Sequence, residues 1–165
     1  MLAQLDAIEA LMPGWLDKDA EDHWQSVLID YHPPIVERLW RQHGEQRVFL
    51  HRIHPCTPDQ ALFHPHPWPS AMRVISGTYE MTIGHGPGEQ EPPVAARIVS
   101  RGDLRYEMTD PDAWHAVRPV DGPAITLMVT GAPWARWAPR SNHPLKPLPD
   151  ATRQELLDIF RRHYP

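Results

Sequence analysis

The chain has 165 residues and a formal net charge of −5, which suits one domain with a sizeable core. The mildly acidic net charge does not favour binding to nucleic acid or to an anionic membrane. No apolar run approaches the length of a membrane-spanning helix. The single cysteine, Cys56, cannot form an internal disulfide, so we expect a soluble protein of a reducing cytoplasm.

The N-terminal region is predicted to be a helical extension over residues 1–46. Apolar residues recur there at helical spacing, first in a helix that Pro13-Gly14 is expected to end. A second helical stretch is predicted from about Asp19 to His43. It is expected to be split at Pro33-Pro34, because the residue before a proline disfavours the helical conformation.

Residues 47–138 are predicted to form a β domain. Short apolar runs bounded by proline and glycine are typical of strands joined by turns. The predicted strands are 48–53, 71–75, 78–83, 94–99, 104–108, 115–117 and 124–129. Because no helical segment lies between them, they favour an antiparallel sandwich or barrel.

The C-terminal region, residues 139–165, is predicted to be a proline-rich connector followed by one helix. Thr152 and Glu155 have the spacing of a capping box, in which two side chains satisfy the first backbone N–H groups of a helix. We expect this helix to pack on the β domain, so that the whole chain forms a single domain.

Three histidines carry the clearest chemical signal in the sequence. His64 and His66 are two residues apart, and in an extended strand such residues point to the same face. His115 arrives from a distant predicted strand. Two convergent imidazoles and a third make a three-nitrogen site for Zn, Fe, Ni or Cu, with positions left for water or substrate.

The residues around these histidines resemble the two short motifs of the cupin superfamily, whose small β-barrel holds a metal ion. The matching positions are His64, His66 and Gly77 in the first motif, and Gly102, Asp103, Pro111 and His115 in the second. The resemblance covers roughly Val48 to Val129. It implies an all-β fold, a single cupin-type antiparallel β-barrel that is jelly-roll-like, with helical extensions at both ends.

The first motif departs from the cupin pattern where cupins carry a glutamate, because this chain has Ser70 there. The second motif is also about two residues longer than usual. The remaining three-histidine set is similar to that of the thiol-dioxygenase branch of cupins, the cysteine dioxygenase type, and to small bacterial metal-binding cupins. The resemblance therefore implies an iron(II) site that binds a thiol and O₂.

The chemistry of such a site also follows from its ligands. Neutral histidines leave the full charge on a divalent ion, so the site attracts an anionic ligand and lowers the pKa of bound water. We expect one divalent transition metal per chain. Iron(II) is favoured, and zinc or nickel are alternatives that the sequence leaves open.

Several neighbouring residues are candidates for the walls and chemistry of the site. The predicted pocket residues are Ser70, Met72, Val74, Trp68 and Trp114, and Ser70 is expected to hydrogen-bond a ligand histidine or a bound water. The candidate catalytic residues are Tyr79, Tyr106 and Arg52, where Arg52 is a candidate clamp for a substrate carboxylate. His51 and His54 are candidates for a fourth ligand or a proton carrier.

Three functions stay open at this point, each with a small molecule as the partner. The first is a metal-dependent dioxygenase. The second is a non-catalytic binding or sensing protein that holds zinc or nickel. The third is a metal-dependent isomerase, lyase or hydrolase, which needs a general base. A homodimer is expected, because exposed edge strands need cover.

Overall fold

Ten strands in two antiparallel sheets, with a helix near each end of the chain, form the part of the protein that the computed structural model describes, residues 1–17 and 22–165. The helices are α1 (Leu2–Trp15) and α2 (Asp150–His163). The strands are β1 (Gln25–Ile29), β2 (Val36–His43), β3 (Gln46–Ile53), β4 (His64–Pro65), β5 (Ser70–Ser76), β6 (Thr78–His85), β7 (Val94–Arg101), β8 (Leu104–Met108), β9 (Ala113–Pro119) and β10 (Ala124–Thr130).

The elements form three layers around two apolar cores. The larger sheet has the strand order β1-β2-β3-β10-β5-β8, and the smaller has the order β4-β9-β6-β7. One core fills the space between the helices and the larger sheet, and the other lies between the two sheets. Every residue of β10 is buried, because its Leu127 faces the helices and its Met128 faces the second sheet. A strand covered on both faces reads as a continuous apolar run.

The strands predicted within residues 47–138 are confirmed. Each predicted strand lies within one of β3 and β5 to β10. Gly77 makes the turn between β5 and β6 with a φ of +99°, and a Cβ there would lie 2.9 Å from the Cα of Ala124. A residue other than glycine would therefore be strained and would clash.

The predicted closed barrel is not confirmed. Within residues 1–17 and 22–165 the strands pair into two separate sheets, and no pairing joins them into a cylinder. The architecture is a β-sandwich of two antiparallel sheets with two helices. None of the helices in these ranges is long and apolar enough to cross a membrane.

The prediction of a helix from Asp19 to His43 is wrong for the residues that the structure describes. Residues 18–21, where that helix was expected to begin, lie outside the described part of the chain. The rest forms β1 and β2, which pair with each other, and β2 also pairs with β3. Both faces of β2 are partly covered, so its apolar residues do not alternate strictly along the strand. Their spacing therefore resembles that of a helix.

Both predicted helix boundaries also need correction. Pro13 lies inside α1, which continues to Trp15 instead of ending at Pro13-Gly14. The guanidinium of Arg41 lies 4.1 Å from the centroid of the Trp15 ring. In α2 the N-cap residue is Pro149, which has no capping side chain, so the predicted capping box is wrong. Glu155 instead forms an ion pair with Arg52 of β3.

Candidate metal centre

The structure brings the three predicted histidines together between the two sheets. His64 in β4 lies directly opposite His115 in β9, and His66 follows just after β4. The ring centroids of His64 and His66 are 5.3 Å apart, those of His64 and His115 are 5.1 Å apart, and those of His66 and His115 are 4.5 Å apart. Each ring offers one nitrogen, and these atoms lie within 4.8 Å of one another.

Hydrogen bonds on the outer side of the cluster orient two of the three rings, and they fix the tautomer of His64. The Nδ1 atom of His64 lies 2.9 Å from the carbonyl oxygen of Leu62, which only accepts, so Nδ1 carries the proton. The Nδ1 atom of His66 lies 3.1 Å from the hydroxyl of Ser70, as expected from the sequence. At His64 this contact leaves the Nε2 lone pair free, and outer contacts of this kind fix the ring orientation of a metal ligand.

Burial keeps all three imidazoles neutral. It lowers the pKa of His64 to about 4, and the pKa of His66 and His115 lies well below the usual 6.5. Loss of water around the rings is the largest cause, and repulsion from neighbouring histidines adds to it. Neutral imidazole is the form that binds a metal ion, so the cluster is prepared for one near pH 7.

The donor set fits a transition metal. The Nε2 atoms of His66 and His115 are 3.0 Å apart, about the separation of two nitrogens that each lie ~2.1 Å from one ion at a right angle. The buried Nδ1 of His115 has no hydrogen-bond partner among the described residues. Three imidazole nitrogens suit iron, zinc, nickel or copper. His64, His66 and His115 would hold the ion.

The histidines open into a cavity of about 160 Å³ between the two sheets. Trp68 and Met72 line it as predicted, and the Trp68 ring lies 4.9 Å from the ring of His66. Ser70, Val74 and Trp114 do not line this cavity, contrary to the prediction. Val74 packs deeper in the core between the sheets. Trp114 precedes His115 in β9, so its side chain points to the opposite face, where it packs against Phe63 and Trp137.

The candidate phenols lie behind the cavity wall rather than in it. The hydroxyl groups of Tyr79 and Tyr106 are 3.2 Å apart, and that of Tyr106 is 3.0 Å from the sulfur of Met72. The Tyr106 ring is 6.3 Å from that of His115. Burial raises the pKa of Tyr79 well above its usual value of 10, so this phenol stays protonated.

Arg52 does not reach the cavity. Its Nε forms an ion pair with Glu37, and its Nη1 lies 2.7 Å from a carboxylate oxygen of Glu155. These contacts join β2 and β3 to α2 on the outer face of the larger sheet. The predicted clamp for a substrate carboxylate is therefore not supported at this position.

The arginine that lines the cavity is Arg38 of β2, which the sequence did not single out. Its Nε donates to Nε2 of His51 at 2.9 Å, and its guanidinium lies 4.9 Å from the centroid of Phe49. No carboxylate lies within ion-pair distance of it among the described residues. Burial lowers the pKa of Arg38 to about 10, so it remains a cation near pH 7.

Neither candidate for a fourth ligand joins the three histidines. Both ring nitrogens of His51 are engaged, because Nε2 accepts from Arg38 and Nδ1 lies 3.1 Å from the hydroxyl of Thr126. His54 does not line the cavity and lies 3.3 Å from a carboxylate oxygen of Glu37. His51 lines the cavity as the partner of Arg38.

No protein-family model matches the chain, and no curated protein sequence matches it. Solved structures do share its fold. Hydroxypropylphosphonic acid epoxidase from S. wedmorenis aligns with a TM-score of 0.51 and 17% identity, over 68% of this chain and 60% of that chain. The iron(II) form of HppE gives the same TM-score and identity, over 67% of this chain and 57% of that chain.

This likeness concerns the fold alone, because only about one aligned residue in six is identical. The chain spans less than two thirds of the length of these solved structures. The likeness supports the predicted antiparallel β fold of the chain.

Proposed function

We propose that the protein is a mononuclear non-haem iron enzyme that oxidises a small anionic substrate, of the thiol-dioxygenase type. The observation that carries this proposal is the three-histidine cluster in a cavity that is also lined by the half-buried cation Arg38. Iron(II) is favoured because an iron(II) enzyme, HppE, is among the proteins of similar fold. An iron(II) ion held there would supply O₂ activation beside a coordinated substrate.

The residues of this chain have distinct roles in the proposal. His64, His66 and His115 hold the ion on one side and leave the cavity side open. Arg38 binds the anionic group of the substrate through N–H groups that no protein carboxylate occupies. Trp68 and Met72 exclude water from the reacting atoms.

A non-catalytic binding role is the second candidate. Among the described residues that line the cavity there is no carboxylate, so a general acid or base of that kind is missing. The same observation disfavours an isomerase, lyase or hydrolase. A binding protein needs only the metal and Arg38 to hold an anion.

Metal content tests the proposal first, measured by plasma mass spectrometry on protein purified without added metal or chelator. We expect about one iron per chain, lost in His66→Ala because two imidazoles hold the ion poorly. His143→Ala is the matched control, because His143 is exposed and belongs to neither group of residues that could hold a metal ion. Zinc or nickel in place of iron would favour the binding role.

O₂ uptake with a panel of small thiols tests the reaction. The expected result is uptake that depends on both iron and a thiol carrying a carboxylate. An iron-loaded protein that consumes no O₂ with any thiol would contradict the thiol-dioxygenase type, and the metal site would stand.

A further inference from the structure

A second, wider depression adjoins the metal cavity. We call it the outer vestibule, and it has a volume of about 720 Å³. Five residues line both spaces, namely Tyr31, His32, Leu62, Ala138 and Pro139. The His32 ring at this junction lies 6.5 Å from that of His64. The shared wall shows that the metal cavity and the outer vestibule are adjacent, and it indicates one continuous space.

The volumes show that a ligand of ordinary size must occupy both parts. The metal cavity holds about 160 Å³, close to the ~150 Å³ cavity that accepts one benzene molecule. Ligand pockets usually span roughly 300–1,000 Å³. The inner cavity therefore takes only a head group, and the rest of a larger substrate must extend into the outer vestibule.

Two large aromatic side chains stand exposed in the outer vestibule. Tyr31 is 38% exposed and Trp137 is 43% exposed, whereas Trp24 and Trp114 are almost completely buried. Exposed aromatic groups at the mouth of a cavity are typical of a binding surface. They offer flat apolar faces to a ligand.

Packing holds both rings in place. The Trp137 ring stacks on Trp114 with 6.4 Å between centroids and 29° between planes, and Trp114 donates from Nε1 to the carbonyl of Gly86. The Tyr31 ring meets His32 edge-on at 4.5 Å. The rings are thus positioned before a ligand arrives, which lowers the entropic cost of binding.

The charges in the connected space have one sign. Arg38 lies at the inner end, and the exposed Arg140 lines the outer vestibule without an ion pair among the described residues. No aspartate or glutamate lines either space within the described ranges. The space therefore favours a ligand with anionic and flat apolar parts.

We propose that the outer vestibule is a second substrate subsite, which takes a planar aromatic group joined to the anionic head that Arg38 binds. This inference rests on the proposed function, because it assigns the substrate class of the same site. It distinguishes this protein from an enzyme for very small thiols, whose substrate would fit in the inner cavity alone.

The test is calorimetric titration of the zinc-loaded protein, which does not turn over. The probes are ω-phenylalkanoates from phenylacetate to 6-phenylhexanoate, each compared with the cyclohexyl compound of the same chain length. We expect one length at which the phenyl compound binds about three- to tenfold more tightly, because aromatic faces stack on one another. The cyclohexyl compounds match the apolar volume but lack the flat face.

Variants assign the gain to the outer vestibule. Trp137→Ala, which lines only the outer vestibule, should reduce the phenyl preference while leaving acetate binding unchanged, and Tyr31→Ala should also reduce the phenyl preference. Val99→Ala is the control, because Val99 is an exposed apolar residue of β7 that lines neither space. This variant should leave the phenyl preference unchanged. Tyr31→Ala keeps the test valid if removal of Trp137 disturbs the fold.

The outcomes separate the two proposals. Equal affinities for phenyl and cyclohexyl compounds at every length would overturn the vestibule subsite and leave the metal site standing. A preference that survives in both vestibule variants would also overturn it. Failure to bind one zinc ion would contradict the proposed function, and the same titration on metal-free protein would still decide whether the vestibule prefers planar groups.

Discussion

The Nε group of Arg38 donates to Nε2 of His51 at 2.9 Å, so a half-buried cation is held by a buried neutral ring. Burial and the adjacent guanidinium lower the pKa of His51 well below 6.5, which keeps Nε2 available as an acceptor. A carboxylate in this place would have neutralised Arg38. The pairing with His51 orients the guanidinium and leaves its charge for a ligand that enters the metal cavity.

Removal of this cation should weaken anion binding without loss of the metal. In Arg38→Ala we expect the affinity for 3-mercaptopropionate to fall by about 10- to 100-fold, because hydrogen bonds to charged groups are the strong ones. Calorimetric titration of the zinc-loaded variant measures the affinity. Arg47→Ala, in β3 and beside Trp40, is the matched control. An unchanged affinity in Arg38→Ala would mean that the anion binds elsewhere.

Ser70 should control metal affinity through His66. Its hydroxyl lies 3.1 Å from Nδ1 of His66, so Ser70→Ala removes the contact that orients the ring. Loss of such a partner typically lowers metal affinity about 10- to 100-fold. Competition with a zinc-sensitive chelator measures the change. Ser76→Ala at the other end of β5 should bind zinc like the unmodified protein, and equal affinities in both variants would exclude this role.

The metal-free protein should lose stability as the pH falls from about 6.5 towards 4. The folded state lowers the pKa of His64 to about 4, whereas the unfolded chain takes up the proton near pH 6.5. His64 therefore contributes its full stability above pH 6.5, and the contribution is lost as protons favour the unfolded chain. His66 and His115 act in the same direction.

Melting temperatures of chelator-treated protein between pH 8 and pH 4 measure this loss. His64→Gln should show a smaller drop over that range, because it has no imidazole to protonate at this position. The exposed His143→Gln is the control and should follow the unmodified protein. Identical profiles for all three proteins would contradict the prediction.

Arg52 should matter for stability and not for the site. Its guanidinium contacts Glu37 and Glu155, which join the larger sheet to α2. In Arg52→Ala we expect a loss of about 1–3 kcal/mol, because half-buried Glu37 loses its partner. Chemical denaturation measures the loss. Metal content and 3-mercaptopropionate binding should remain unchanged, and weaker binding would return Arg52 to the list of substrate contacts.

The histidine site could be predicted because its signal is local. His64 and His66 share a face in any extended segment, and Ser70 lies close enough along the chain to reach the second ring. His115 needed the second motif, since its partner strand is 51 residues away in sequence. The strands of the β domain could also be predicted from the sequence, because proline and glycine mark the turns that separate them.

Arg38 could not be predicted because β2 has an ambiguous pattern. Val36, Leu39 and Trp40 fit helical spacing, yet in the strand Val36 and Trp40 face the second sheet and Leu39 faces the helices. Only pairing with β1 and β3 decides between the two. Once β2 is a strand, Arg38 shares a face with Val36 and enters the cavity.

The direct pairing of His64 with His115 has a consequence for how the protein reaches its native state. Strand β4 is only two residues long, so few backbone hydrogen bonds hold it against β9. A slip of one residue would turn His64 and His66 to the other face and separate them from His115. Ion binding and correct strand alignment are therefore linked, because a metal ion that binds all three histidines stabilises the aligned register of β4.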